Sequence, residues 1–184
     1  MKKIVILFSG EGFNAQNIVK RLHEKECYVA CGITNKKDAK GLHKLKELSV
    51  KTEILEHSNF SSREEFDEQL VKLVNSYEPD LVVLSGFMRI LTEVFTENVK
   101  AINLHPSLLP KFKGAKAIER SFESDDKEAG VSVHYVSSEL DGGEIILQNS
   151  FKKSQDETLD SFCAKIKNIE YEIMPQAIMD VLGD

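Results

Sequence analysis

Through the first half of the chain, short and mostly apolar runs alternate with longer stretches whose apolar positions recur every three or four residues. Lys3 to Ser9, Tyr28 to Thr34, Thr52 to Leu55 and Leu81 to Leu84 are of the first kind, the pattern of parallel strands covered on both faces. Between them, Ile18, Val19 and Leu22 mark a helix reaching about Lys25. Leu42, Leu45 and Leu48 mark a second, and Phe66, Leu70, Leu73, Val74 and Tyr77 a third. Ser62-x-x-Glu65 is a capping box opening that third helix, and Glu78-Pro79-Asp80 closes it. A helical segment from Glu93 to about Val99 and a short strand ending at Ile102 follow, then a helix near Ala117 to Ser124. From Gly130 to Val136 the pattern becomes an alternating strand, with Val131, Val133 and Tyr135 on one face and Ser132, His134 and Val136 on the other. Glu144 to Asn149 reads as its returning partner. A last helix from about Asp156 carries Leu159, Phe162, Ile166, Ile169 and Ile173, and Pro175 should kink or end it near Met174.

Strand and helix alternating in this way predict right-handed crossovers. The expected fold is α/β and Rossmann-like: a mostly parallel open sheet with helices on both faces and an antiparallel strand pair toward the C-terminus. With 184 residues the chain is expected to form a single domain over 1–184. A hydrophobic content of 41% with 29% charged residues is that of an ordinary globular protein. The net charge of -6 argues against a generic nucleic-acid surface, though not against an anion held locally. Cys27, Cys31 and Cys163 form no CxxC pair, so neither a disulfide framework nor a zinc ribbon is expected. The apolar run Ile4 to Phe8 is too short for a signal core or a membrane span. A cytoplasmic protein without membrane or nucleic-acid partners is expected.

Five places carry candidate chemistry. Ser9-Gly10-Glu11-Gly12-Phe13-Asn14 is a glycine turn leading into a helix start, where free N–H groups and the helix dipole favour an anion. Gly10-x-Gly12-x-x-Ala15 also meets a loose dinucleotide fingerprint, but the second strand ends in Asn35-Lys36-Lys37 with no acid until Asp38, which disfavours a nicotinamide cofactor. Gly86 allows close backbone approach, and Phe87, Met88, Ile90 and Leu91 either wall a flat apolar pocket or simply fill core. Asn103 and His105, two apart near a strand end, project to one side ahead of Pro106 and Pro110. They are either a reactive pair or the caps of a strand end. Asp141 sits in the turn Leu140-Asp141-Gly142-Gly143, poised to reach a neighbour. Glu170 lies at the edge of the last helix's apolar stripe, and His134 reads as structural or merely near a site.

These motifs together resemble the phosphoribosylglycinamide formyltransferases that depend on 10-formyltetrahydrofolate. The resemblance runs along essentially the whole chain and rests most specifically on Asn103-x-His105-Pro106-Ser107-Leu108-Leu109-Pro110 followed by Leu140-Asp141-Gly142-Gly143. It implies that Asn103, His105 and Asp141 are catalytic. It implies that Gly12, Phe13 and Asn14 bind the phosphate of glycinamide ribonucleotide, and that Lys167, Asn168, Ile169 and Glu170 contact the rest of it, Glu170 at the ribose. Arg63, Met88, Arg89, Ile90, Leu91, Asn103, Ser137, Ser138, Glu139, Leu140 and Asp141 would hold the reduced folate, a co-substrate, with no metal required. A monomer or homodimer is implied. The chain departs from the family at Phe13, where a small serine is common, in the stretch from Lys113 to Phe122, which lacks histidines seen in many members, and in ending soon after the long helix.

Formyl transfer to a neutral amine needs donors for a tetrahedral oxyanion and a path for a proton. The Asn103 amide and His105 imidazole suit the first role, at about 10² to 10³ in rate for such a donor. Asp141 beside His105 would favour the imidazolium and relay protons through a water. Formyl transfer to another amine, such as an aminoacyl-tRNA or amino sugar, is the sibling reading, and an NAD(P) oxidoreductase built on the Gly10 to Ala15 turn is the more distant one.

Overall fold

The computed structural model describes residues 1–183. One seven-stranded sheet runs in the order β3-β2-β1-β4-β5-β6-β7, with β1 Lys3–Phe8, β2 Tyr28–Thr34, β3 Thr52–Ile54, β4 Leu81–Leu84, β5 Ala101–His105, β6 Glu128–Tyr135 and β7 Ile145–Lys152. The first five strands pair in parallel; β5 with β6 and β6 with β7 pair antiparallel. Side chains of β1 alternate between two cores. Ile4, Ile6 and Phe8 meet α1 (Phe13–Leu22), α2 (Gly41–Glu47) and α6 (Leu159–Gly183), whereas Val5 and Leu7 meet α3 (Arg63–Asn75) and α4 (Glu93–Thr96). That alternation with apolar residues at every position is why the strand reads as an unbroken hydrophobic run.

The chain order reverses across β1 and β4, and in open α/β sheets ligands bind beyond the strand ends at such a point. Buried Ser9 ties the two loops there. Its N–H donates to the Gly86 carbonyl at 3.0 Å, its hydroxyl donates to Asn35 Oδ1 at 2.5 Å, and it accepts from the Met88 N–H at 2.8 Å. Gly12 has φ 71, and a Cβ on it would fall 2.4 Å from the Cα of Gly41 at the start of α2. Only glycine lets the turn pack against that helix, whose Gly41 N–H donates to the Gly10 carbonyl at 3.0 Å.

Three of the departures from the sequence pattern have a physical cause. β5 extends through His105, so Asn103 and His105 belong to the strand's own last turns of pleat. The capping box is half formed: Ser62 Oγ accepts from the Glu65 N–H at 3.1 Å, but the Glu65 carboxylate reaches Ser61 instead. Pro175 does not end the last helix, which continues to Gly183. A proline removes the hydrogen bond to the carbonyl four residues back, here Tyr171, and that carbonyl accepts from Asn17 Nδ2 on α1 at 2.9 Å. The neighbouring helix supplies the missing donor, and Pro175 is buried. Among the described residues no helix is long and apolar enough to cross a membrane.

Candidate active site

At the end of β5 the antiparallel register sets Asn103 opposite His134 of β6. His134 Nδ1 lies 2.8 Å from the Tyr135 carbonyl, which can only accept, so this nitrogen carries the proton. Nε2 then accepts from Asn103 Nδ2 at 3.2 Å. The same reasoning places a proton on His105 Nε2, which is 2.8 Å from the carbonyl of Phe112. The inner nitrogens of both rings face one carboxylate: Asp141 Oδ2 is 3.4 Å from His105 Nδ1, and Asp141 Oδ1 is 3.6 Å from His134 Nε2. Both contacts are longer than an engaged charge-assisted hydrogen bond of about 2.7–2.9 Å. Asp141 Oδ2 also accepts from the Gly114 N–H at 2.8 Å. Burial pushes this carboxyl up, but a second proton on the His134 ring, facing the carboxylate, the Gly114 N–H and the positive charge of a protonated His105 more than offset it and hold it below the ordinary aspartate range.

Two adjoining clefts open from this cluster. The larger, about 700 Å³, is walled by Leu84, Phe87, Met88, Ile90, Leu91, Leu104 and Val136, with Asn103, His105, His134 and Asp141 on one side. Ser137, Ser138, Glu139 and Leu140 form its rim, and Arg89 also lines it. The smaller, about 420 Å³, is bounded by Ser9 to Asn14, Lys36, Cys163, Lys167 and Glu170. Asn14, Gly86, Met88, Ile118 and Glu170 border both. Asn14 Nδ2 donates to Glu170 Oε2 at 2.9 Å, while Asn14 Oδ1 is buried without a partner. Burial raises the Glu170 carboxyl above its usual value, partly countered by Asn14 and by the Lys167 charge.

The chain matches the family described as Formyl transferase over residues 2–178. The chain belongs to that family. It is 38% identical over 182 residues to the phosphoribosylglycinamide formyltransferase of Haemophilus influenzae, covering 97% of this chain and 86% of that one. The Escherichia coli protein of the same name is 38% identical over 179 residues, covering 95% and 84%. The crystal structure of phosphoribosylglycinamide formyltransferase from Campylobacter jejuni superposes with a TM-score of 0.96 at 48% identity, covering 98% of this chain and 97% of that one.

Most of the expected site residues of this formyl transferase converge, and three do not. Arg63 opens α3 exposed to solvent and lines neither cleft. Asn168 is exposed, and Ile169 packs against the core, because on a helix positions three or four apart share a face, here Cys163, Lys167 and Glu170. Phe87 and Leu91 serve as core and wall at once, while Met88 and Ile90 are 73% and 51% exposed. The sequence leaves two contributors unassigned. His134 is one, and the stretch from Gly114 to Glu119, which lines the larger cleft, is the other. The alternation that puts His134 on a face with Ser132 was a signal for the first. Among the described residues no group of three or more His, Cys, Asp or Glu side chains is arranged to hold a metal ion.

Proposed function

We infer that this protein transfers the formyl group of 10-formyltetrahydrofolate to the amine of glycinamide ribonucleotide, yielding formylglycinamide ribonucleotide and tetrahydrofolate in de novo purine biosynthesis. The observation that carries the reading is the Asn103, His105, His134 and Asp141 cluster set beside two connected clefts of different character. A cavity of about 700 Å³ with apolar walls and a few convergent polar groups suits a flat heterocycle with a tail. The smaller cleft offers the N–H groups of a glycine turn at a helix start, together with Lys36 and Lys167, to a phosphate. Glu170 faces the same space and can accept from ribose hydroxyls.

The amine nitrogen attacks the formyl carbon, the carbonyl oxygen becomes an oxyanion, and the new C–N bond forms before the bond to folate N10 breaks. One N–H of the Asn103 amide is taken by His134. The second N–H of that same group remains for the oxyanion, so His134 fixes which way the amide points. His105 can add a donor once the Phe112 carbonyl releases Nε2. Phe112, Gly114 and Lys116 all have positive φ, and they mark the segment that has to shift. Asp141, ionised at neutral pH, takes the proton lost by the amine through a water and returns it to N10.

An assay with purified protein, glycinamide ribonucleotide and 10-formyltetrahydrofolate should release tetrahydrofolate in proportion to formylated ribonucleotide. Turnover with a different amine and none with this ribonucleotide would replace the substrate assignment.

A further inference from the structure

Phe13 is the first residue of α1, follows the left-handed Gly12, and remains 41% exposed. A phenyl ring so placed gains little from burial, yet two cations use it. Lys167 Nζ lies 4.1 Å and Lys44 Nζ 4.5 Å from its centroid, within the range where an ammonium is drawn to the ring's negative face. The two lysines differ in their other partners. Lys44 and Lys40 share the Glu11 carboxylate, at 3.7 and 2.8 Å, so charge there is answered locally. Lys167 takes part in no ion pair among the described residues. Its second neighbour is another aromatic, Tyr171, one helical turn on at 5.7 Å. Lys167 also lines the smaller cleft beside Gly10, Gly12 and Asn14. A cation held against rings rather than by a carboxylate keeps its charge unneutralised and at least one N–H donor for a ligand.

We propose that Phe13 is a positioning residue for the anionic end of the ribonucleotide, its ring holding the Lys167 ammonium over the glycine turn with its donors directed to phosphate. An exposed lysine otherwise gives up rotamer freedom when it closes on a ligand; here the ring has already confined it. A small polar residue at this position would offer the phosphate a hydroxyl and leave Lys167 to wander. The aromatic ring offers no hydrogen bond and a located charge instead. The proposal rests on the assignment of the glycine turn to the substrate phosphate.

The test compares wild type, Phe13→Leu, Phe13→Tyr, Lys167→Met and Phe13→Leu/Lys167→Met for kcat, for KM of each substrate and for competitive inhibition by inorganic phosphate. A cation–π contact at a partly exposed site corresponds to roughly two- to fivefold in affinity. Phe13→Leu should therefore raise the ribonucleotide KM and the phosphate inhibition constant by about that factor, with a smaller effect on kcat and none on the folate KM. Phe13→Tyr, which keeps the π face, should retain wild-type values. In the Lys167→Met background the leucine substitution should add nothing. If Lys167→Met weakens the ribonucleotide but Phe13→Leu does not, or if the two effects simply multiply, the ring's role is refuted and the phosphate assignment stands. If neither Lys167→Met nor inorganic phosphate affects the ribonucleotide, the phosphate assignment itself is wrong.

Discussion

Asp141 has φ 51, a left-handed backbone that aspartate tolerates better than most residues because its short side chain finds local partners. That geometry turns the carboxylate back onto Gly114, His105 and His134 together. Asp141→Asn keeps the shape and removes the charge, so turnover should fall at least about tenfold while both KM values change much less, as when a transition-state interaction is lost. The same substitution has a stability signature. A carboxyl held below its ordinary value stabilises the fold above that value and loses the contribution as pH falls through the folded-state pKa. The Asn variant should melt below wild type at neutral pH, and the two should converge in acid; parallel melting curves at every pH would show that the charge is not felt. Glu170 runs the other way. Its raised pKa means that ionisation is a cost that appears as pH rises through the folded value, so Glu170→Gln should be the more stable form at neutral pH and equal in acid. It should also bind the ribonucleotide more weakly, by roughly 1.5 to 3 kcal/mol if the charged hydrogen bonds are lost. Unchanged ribonucleotide affinity would remove Glu170 from the site.

At the scale of elements, α6 and α1 depend on each other through Asn17 and Pro175. Asn17→Ala strands the Tyr171 carbonyl and should cost about 1–3 kcal/mol in denaturant unfolding. In a Pro175→Ala background the restored N–H can serve that carbonyl, and the cost of Asn17→Ala should shrink. A fully additive double-mutant cycle would mean that the bond does not offset the proline. The helix beyond Pro175 is not legible in the sequence for this reason: the compensating donor lies on another helix, far away in the chain. His134 is hidden in the same way. Its partnership with Asn103 comes from the register of β5 against β6, which no local period encodes. By contrast, the glycine turn, the Asn103 and His105 pair and the Asp141 turn are legible because their meaning lies in adjacent residues: glycines that permit positive φ or close approach, and side chains two apart on a strand. Arg63 lines neither cleft, so its assignment to the folate rests on the resemblance alone.

Taken as a whole molecule, the sheet brings the ends of β1, β4 and β5 to one edge, and the two clefts meet there with a common border at Asn14, Gly86, Met88, Ile118 and Glu170. On the proposed assignment, a donor in the larger cleft and an acceptor in the smaller one are present at once, with the reacting atoms beside Asn103 and His105. A covalent relay through a thiol would need a cysteine at that border. The cysteine nearest to it, Cys163, lines only the smaller cleft, and burial together with Glu119 and Asp160 pushes its thiol up, so little of it is the reactive thiolate at neutral pH. We propose direct transfer within a ternary complex, and it has a kinetic form. Initial rates measured with both substrates varied should give intersecting double-reciprocal lines, and a single turnover should leave no formylated residue on the protein. Cys163→Ser should keep kcat within about twofold, since a ping-pong intermediate on that sulfur is not used. Parallel lines, or a burst of tetrahydrofolate before any ribonucleotide is added, would show that the formyl group rests on the enzyme and that the juxtaposed clefts are filled one after the other.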